Sequence, residues 1–110
     1  MATLLYKGVP SNPENGLRVR LGWVLLTLTG SHTMTNQDAQ FLGIDAGGAS
    51  RNVVMPAESA SQGSFFYIGN ISGSGEDLVF KASNGSDTVG TIVPGDSSFV
   101  VCDGTNWNVL

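Results

Sequence analysis

The sequence holds a single cysteine and a single histidine in 110 residues. One thiol excludes an internal disulfide, and Cys102 alone cannot build a zinc site. Cys102 closes the run Ser98-Phe99-Val100-Val101-Cys102, where alternation puts it on the face of Val100 and predicts a buried apolar filler. Nucleophilic catalysis requires a nucleophile, a base and an orienting group in contact, and neither His32 nor Cys102 lies in a local motif of that kind. No enzymatic activity is therefore expected.

Charge is scarce as well. Asp, Glu, Lys and Arg make up 13 % of the chain, against about 25 % in ordinary globular proteins. Ser, Thr, Asn and Gly take their place, as on a β-surface pressed against neighbours, where isolated charges are costly to desolvate. The net charge of −4 argues against nucleic acid as the partner, since phosphate binding needs clustered Lys and Arg. The few charges are unevenly placed. Lys7, Arg18 and Arg20 against Glu14 give the first twenty residues +2, while Arg51 and Lys81 against eight acidic residues leave −6 on the remainder. A basic arm on an acidic body would suit docking to an acidic surface; chance placement accounts for so small a sum equally well.

Long apolar runs are missing too. Residues 21–28 are too few to span a bilayer and include Thr27. Arg18 and Arg20 lie too deep for the basic start of a secretory signal, so the expected product is soluble and made without export. No membrane partner, cofactor or metal is expected. Asn84-Gly85-Ser86-Asp87 lacks the acidic density of a calcium loop. The glycines 69, 73 and 75 are not followed by the Gly-Lys-Ser/Thr of a phosphate loop. The carboxylates fall mostly in turn-like segments, where Asx-turns and solvation explain them.

What is abundant is β-pattern. Segments 51–55, 64–70, 77–82, 88–93, 97–103 and 107–110 read as strands, separated by Gly-, Ser-, Asn- and Pro-rich turns. Their spacing, about 8–12 residues per strand and turn, predicts an all-β fold, an antiparallel β-sandwich or small β-barrel of jelly-roll or tulip-like kind. Residues 1–16, with Pro10, Pro13 and Asn15-Gly16, form an extended N-terminal arm; residues 17–110 form the single β-domain. Residues 17–29 are the longest strand candidate, with Trp23 and Leu25 expected in the core. Arg18 and Arg20, on its other face, are either a solvated edge that discourages aggregation or a partner contact. Residues 33–41 hold the only helical signal, the capping-box arrangement Thr35-Asn36-Gln37-Asp38, with too few residues after it for more than a turn or two. Phe65 and Tyr67 share one strand face and Phe66 and Ile68 the other, so that strand is expected to be covered on both sides.

One ordered set of segments goes further. Leu28-Thr29, Met34-Thr35 and Asp38-Ala39 lead to Asp45-Ala46-Gly47-Gly48, then to Asn52-Val53-Val54-Met55-Pro56-Ala57 and Gly63-Ser64-Phe65-Phe66-Tyr67-Ile68-Gly69-Asn70. The close is Gly90-Thr91-Ile92-Val93-Pro94-Gly95-Asp96, Val100-Val101-Cys102-Asp103-Gly104-Thr105 and Trp107. In this order, over about three quarters of the chain, the sequence resembles small β-rich structural modules of tailed bacteriophages: capsid decoration (cement) proteins, and tail- or head-fibre subunits. The resemblance implies a virion protein, made in the host cytoplasm, that binds the major capsid protein on the outside of the assembled head as a homo-oligomer, a trimer. Leu4, Leu5, Tyr6, Lys7, Arg18 and Arg20 are the expected capsid contacts. Trp23, Phe65, Tyr67, Phe80, Phe99 and Trp107 are expected in the core or the oligomer interface. The alternative it leaves open is a fibre module that recognises host glycans through Trp107 or Tyr67.

Overall fold

A computed structural model describes residues 22–73 and 75–110. The proposed arm and its candidate contacts Leu4, Leu5, Tyr6, Lys7, Arg18 and Arg20 lie outside the described residues. Within them the chain is all-β. Its strands are β1 (Trp23–Thr27), β2 (His32–Thr33), β3 (Phe41–Asp45), β4 (Arg51–Val54), β5 (Phe65–Asn70), β6 (Leu78–Lys81), β7 (Thr88–Ile92), β8 (Ser97–Cys102) and β9 (Trp107–Val109), with one 3-10 turn at Glu58–Ala60. They form a five-stranded sheet in the order β1-β3-β5-β8-β9 and a four-stranded sheet in the order β2-β4-β6-β7. No helix among the described residues is long and apolar enough to cross a membrane.

The two-sheet β-architecture agrees with the strand and turn pattern; the direction of pairing does not. β1 pairs with β3, β3 with β5, β2 with β4 and β4 with β6, all in parallel. Only the last three strands pair antiparallel, β7 on β6, β8 on β5 and β9 on β8. Parallel neighbours need a long crossover. Here each crossover is a strand of the facing sheet, so β1–β2, β3–β4 and β5–β6 are three stacked rungs of a coil and β7–β9 close it. An antiparallel jelly-roll or barrel order is thereby replaced by a mixed one. The physical reason is plain: side-chain alternation reports which face is buried, not which strand lies alongside.

The core lies between the sheets. Leu42 and Ile44 of β3, Phe66 and Ile68 of β5, Val100 and Cys102 of β8 and Trp107 of β9 face Val53 of β4, Leu78 and Phe80 of β6 and Ile92 of β7; all are buried. Burial of side chains this size contributes about 1.5–3 kcal/mol each. Phe66 and Trp107 pack with ring centroids 5.9 Å apart, and the Trp107 indole N–H donates to Pro56 O at 2.9 Å. Cys102 is the core filler its alternation predicts.

One expectation fails, and the helical signal comes to no more than a turn. Residues 33–41 form no helix. Asp38 Oδ2 accepts from Thr35 N at 2.7 Å and Asp38 N donates to Thr35 O at 3.1 Å, so the capping-type exchange closes an isolated turn. Too few helix-compatible residues follow it to propagate one. Trp23 and Leu25, expected in the core, are 64 % and 63 % exposed. Register decides this. Val24 and Leu26 lie opposite Leu42 and Ile44, the inward residues of β3, so Trp23 and Leu25 point outward.

The rungs are pinned where the chain passes between sheets. Asn70 is buried, and its Nδ2 donates to Glu76 O (2.9 Å) and Ile92 O (2.8 Å) while Oδ1 accepts from Ser72 N (3.0 Å). Ser72 Oγ in turn accepts from Ala46 N at 2.8 Å, and Arg51 Nε donates to Ala46 O at 2.8 Å. At the adjoining Gly47, φ is +79°, and a Cβ there would lie 2.0 Å from Leu28 O.

Candidate functional site

Because β1, β3, β5 and β8 lie side by side in register, their outward residues form rows across the five-stranded sheet. Trp23, Phe41, Tyr67 and Phe99 make one row. Leu25, Gly43, Gly69 and Ser97 make the next, and Phe65 lies opposite Val101 and Asn108 in a third. At about 4.8 Å between strands, the first row spans roughly 14 Å.

The row is packed within itself. Tyr67 and Phe99 meet edge to face at 4.8 Å, and Phe65 and Phe99 at 5.9 Å. Phe41 bridges to Phe65 at 6.4 Å and to Tyr67 at 6.5 Å. Such pairs add about 0.5–1.5 kcal/mol beyond area burial, and they hold the rings as a rigid platform. The Tyr67 hydroxyl is 2.7 Å from Ser97 Oγ. Gly43 serves as the floor on which Leu25 and Ile71 lie: a Cβ at Gly43 would come 2.8 Å from Leu25 Cδ2 and 3.5 Å from Ile71 Cδ1.

Phe41, Phe65 and Tyr67 are partly covered by one another, while the residues around them stand open. Ile71, Phe99 and Leu110 are 51 %, 43 % and 76 % exposed, beside Trp23 and Leu25. Beside the packed Phe65–Phe99 pair lies an open hollow of about 360 Å³, lined by Gly63, Ser64, Phe65, Phe99, Val101 and Cys102. The platform and the hollow share one face. Of the residues expected in the core or an interface, Phe65, Tyr67 and Phe99 belong to this platform and Trp23 stands at its β1 end. Phe80 and Trp107 are core.

The polar residues gather elsewhere. His32 lies on β2 of one sheet and Cys102 on β8 of the other, and among the described residues no three His, Cys, Asp or Glu side chains are grouped to hold a metal. Glu58 is held below the ordinary glutamate value by the hydroxyl and N–H of Ser83. Asp103 is held low by the backbone N–H groups of Asn106 and Thr105, each 2.8 Å from Oδ1. Both arrangements fasten turns. A carboxylate whose folded pKa is depressed contributes stability that is complete above its unfolded value and lost as the pH falls through the folded one. Thermal stability should therefore begin to fall below about pH 4.5 on account of Glu58 and at lower pH on account of Asp103. In Ser83→Ala the first part of that decline should be shallower in a pH series of melting curves.

Leu25, Phe41, Ile71 and Leu110 were not expected at a surface site. A readable signal exists: Phe41-Leu42-Gly43 and Tyr67-Ile68-Gly69, with Gly47 and Gly73 following at the same offset, are successive turns of one coil. No family model, no curated protein and no solved structure matches this chain.

Proposed function

We propose that this chain is a capsid decoration (cement) protein of a tailed bacteriophage, a structural virion component without catalytic activity. It binds the outer surface of the assembled head as a homo-oligomer, a trimer, and bridges neighbouring major capsid subunits. The observation that supports it is the uncharged, partly exposed apolar face of the five-stranded sheet, which suits contact with protein. A clamp that binds only the assembled shell stabilises it by its binding free energy, and several copies acting together multiply the effect. The basic segment with Lys7, Arg18 and Arg20, together with Leu4, Leu5 and Tyr6, is assigned to the capsid.

Purified protein mixed with empty expanded heads should co-sediment saturably, and the added heads should resist heat better than bare ones. Replacing Lys7, Arg18 and Arg20 together by Ser should weaken binding by tenfold or more and flatten its salt dependence. Absence of any binding overturns the proposal. The second reading, a tail- or head-fibre module for host glycans, is favoured by the exposure of Trp23, since aromatic faces stack on sugar rings. Trp107 is unavailable for that task, being buried with its indole N–H bonded to Pro56. Glycan binding lost in Trp23→Ser would select this reading.

A further inference from the structure

We infer that the outer face of the five-stranded sheet is where this chain binds further copies of itself, with Trp23 of one copy seated in the open hollow lined by Phe65, Phe99 and Val101 of the next.

Three observations lead there. The first is size. With about 150–250 Å² on a fully exposed aromatic side chain and a similar order for Leu and Ile, the uncovered parts of Trp23, Leu25, Ile71, Phe99 and Leu110 amount to roughly 500 Å². The half-buried Phe41, Phe65 and Tyr67 add to this. Such a patch lies in the upper part of the range for the largest patch on ordinary monomers, about 300–600 Å². With a polar margin it approaches the roughly 800 Å² per partner of a stable interface.

The second is shape. The face carries both a projecting side chain, Trp23 at its β1 end, and an apolar hollow of about 360 Å³ at its β5–β8 end. That volume is on the order of ten waters, room enough for an indole ring. A surface with a knob and a matching hollow is self-complementary. Two copies face to face about a two-fold axis fill both hollows at once, and a ring of three fills each in turn. Gly69, where a Cβ would meet nothing nearer than Ser97 Cβ at 3.8 Å, leaves room for an opposing side chain to approach the sheet.

The third is charge. Copies of a chain with net charge −4 repel one another unless the contact avoids the acids. Here the rows are uncharged, and Asp45, Asp96 and Asp103 lie at the strand ends as a rim. The association should accordingly strengthen with added salt, as screening relieves rim repulsion while the apolar centre is unaffected.

This deepens the proposed function by identifying how its copies meet, and rests on that reading only in needing more than one of them. The test is the mass of the full chain by light scattering across the micromolar range. The expected result is two or three chains, with acrylamide quenching of Trp fluorescence rising on dilution as Trp23 is uncovered. Trp23→Ser and, separately, Val101→Lys should each weaken association at least tenfold. For Trp23→Ser the melting temperature at a dilution where both proteins are monomeric should be unchanged. A wild-type protein that is a single chain throughout the range overturns the inference, as does an oligomer indifferent to both substitutions. If Leu4→Asp with Leu5→Asp converts a monomer into an oligomer, the N-terminal segment covers the face instead, and the inference fails. A monomer that still binds heads removes the interface and leaves the clamp; an oligomer that ignores heads does the reverse.

Discussion

Replacing Asn70 by aspartate should cost the fold about 3–5 kcal/mol at neutral pH, although the two side chains have nearly the same shape. Asn70 is 1 % exposed, and its amide nitrogen gives both protons away, to Glu76 O and Ile92 O. A carboxylate has none to give. Its oxygen would face two carbonyl oxygens at 2.8–2.9 Å in a buried site. The substituted carboxyl should respond by taking up a proton, so that its folded pKa lies above the unfolded value of about 3.9. The deficit relative to wild type should then be smallest below about pH 4, where one of the two carbonyls regains a donor, grow as the pH rises, and level off above the folded pKa. This is opposite in sense to the acid weakening expected from Glu58 and Asp103. Denaturant unfolding of both proteins near pH 4 and at pH 7 measures it, and an equal deficit at the two would refute the assignment.

Gly47→Ala should be comparably severe, about 3–5 kcal/mol, through backbone alone. Its positive φ accounts for about 1–2 kcal/mol of that. The remainder comes from the Cβ, which would sit 2.0 Å from the carbonyl oxygen of Leu28. That oxygen belongs to main chain held by Leu28 N donating to Asp45 O at 2.8 Å, so no rotamer change clears it. Gly43→Ala is the matched control. There the nearest atom, at 2.8 Å, is the exposed tip of Leu25, which swings aside. Urea unfolding should show a large fall in midpoint for the first and a change within about 1 kcal/mol for the second. In a domain whose total stability is of the order of 5–15 kcal/mol, the first substitution leaves a protein near its folding limit.

How much of this was legible in the sequence depends on what each signal measures. Strand positions were readable because Phe66 and Ile68 alternate with Phe65 and Tyr67, and because Pro56, Asn84-Gly85 and Pro94-Gly95 stop the strands where they end. Trp107 and Phe80 proved to be core, and Cys102 a filler. Strand direction was hidden. A turn-rich stretch between two strands looks alike whether the second strand folds back or passes to the opposite sheet and returns. The outward aromatic row was hidden for a related reason. In β1 both faces are apolar, so bulk suggested that Trp23 and Leu25 point inward, whereas pairing of Val24 with Leu42 turns them out. Hydrophobicity assigns a residue to a contact; only register says whether that contact lies inside this chain or beyond it.

The coil has a mechanical consequence. In stacked repeats each turn is stabilised chiefly by its neighbours, and among the described residues the β1–β2 turn has a neighbour on one side only, with β2 just two residues long. At the other end β7, β8 and β9 fasten the last turn with antiparallel bonds. The molecule should therefore unravel directionally, losing amide protection first at Trp23–Thr27 and last around β5 and β8, so that whatever covers Trp23 also acts as the catch on the whole spring.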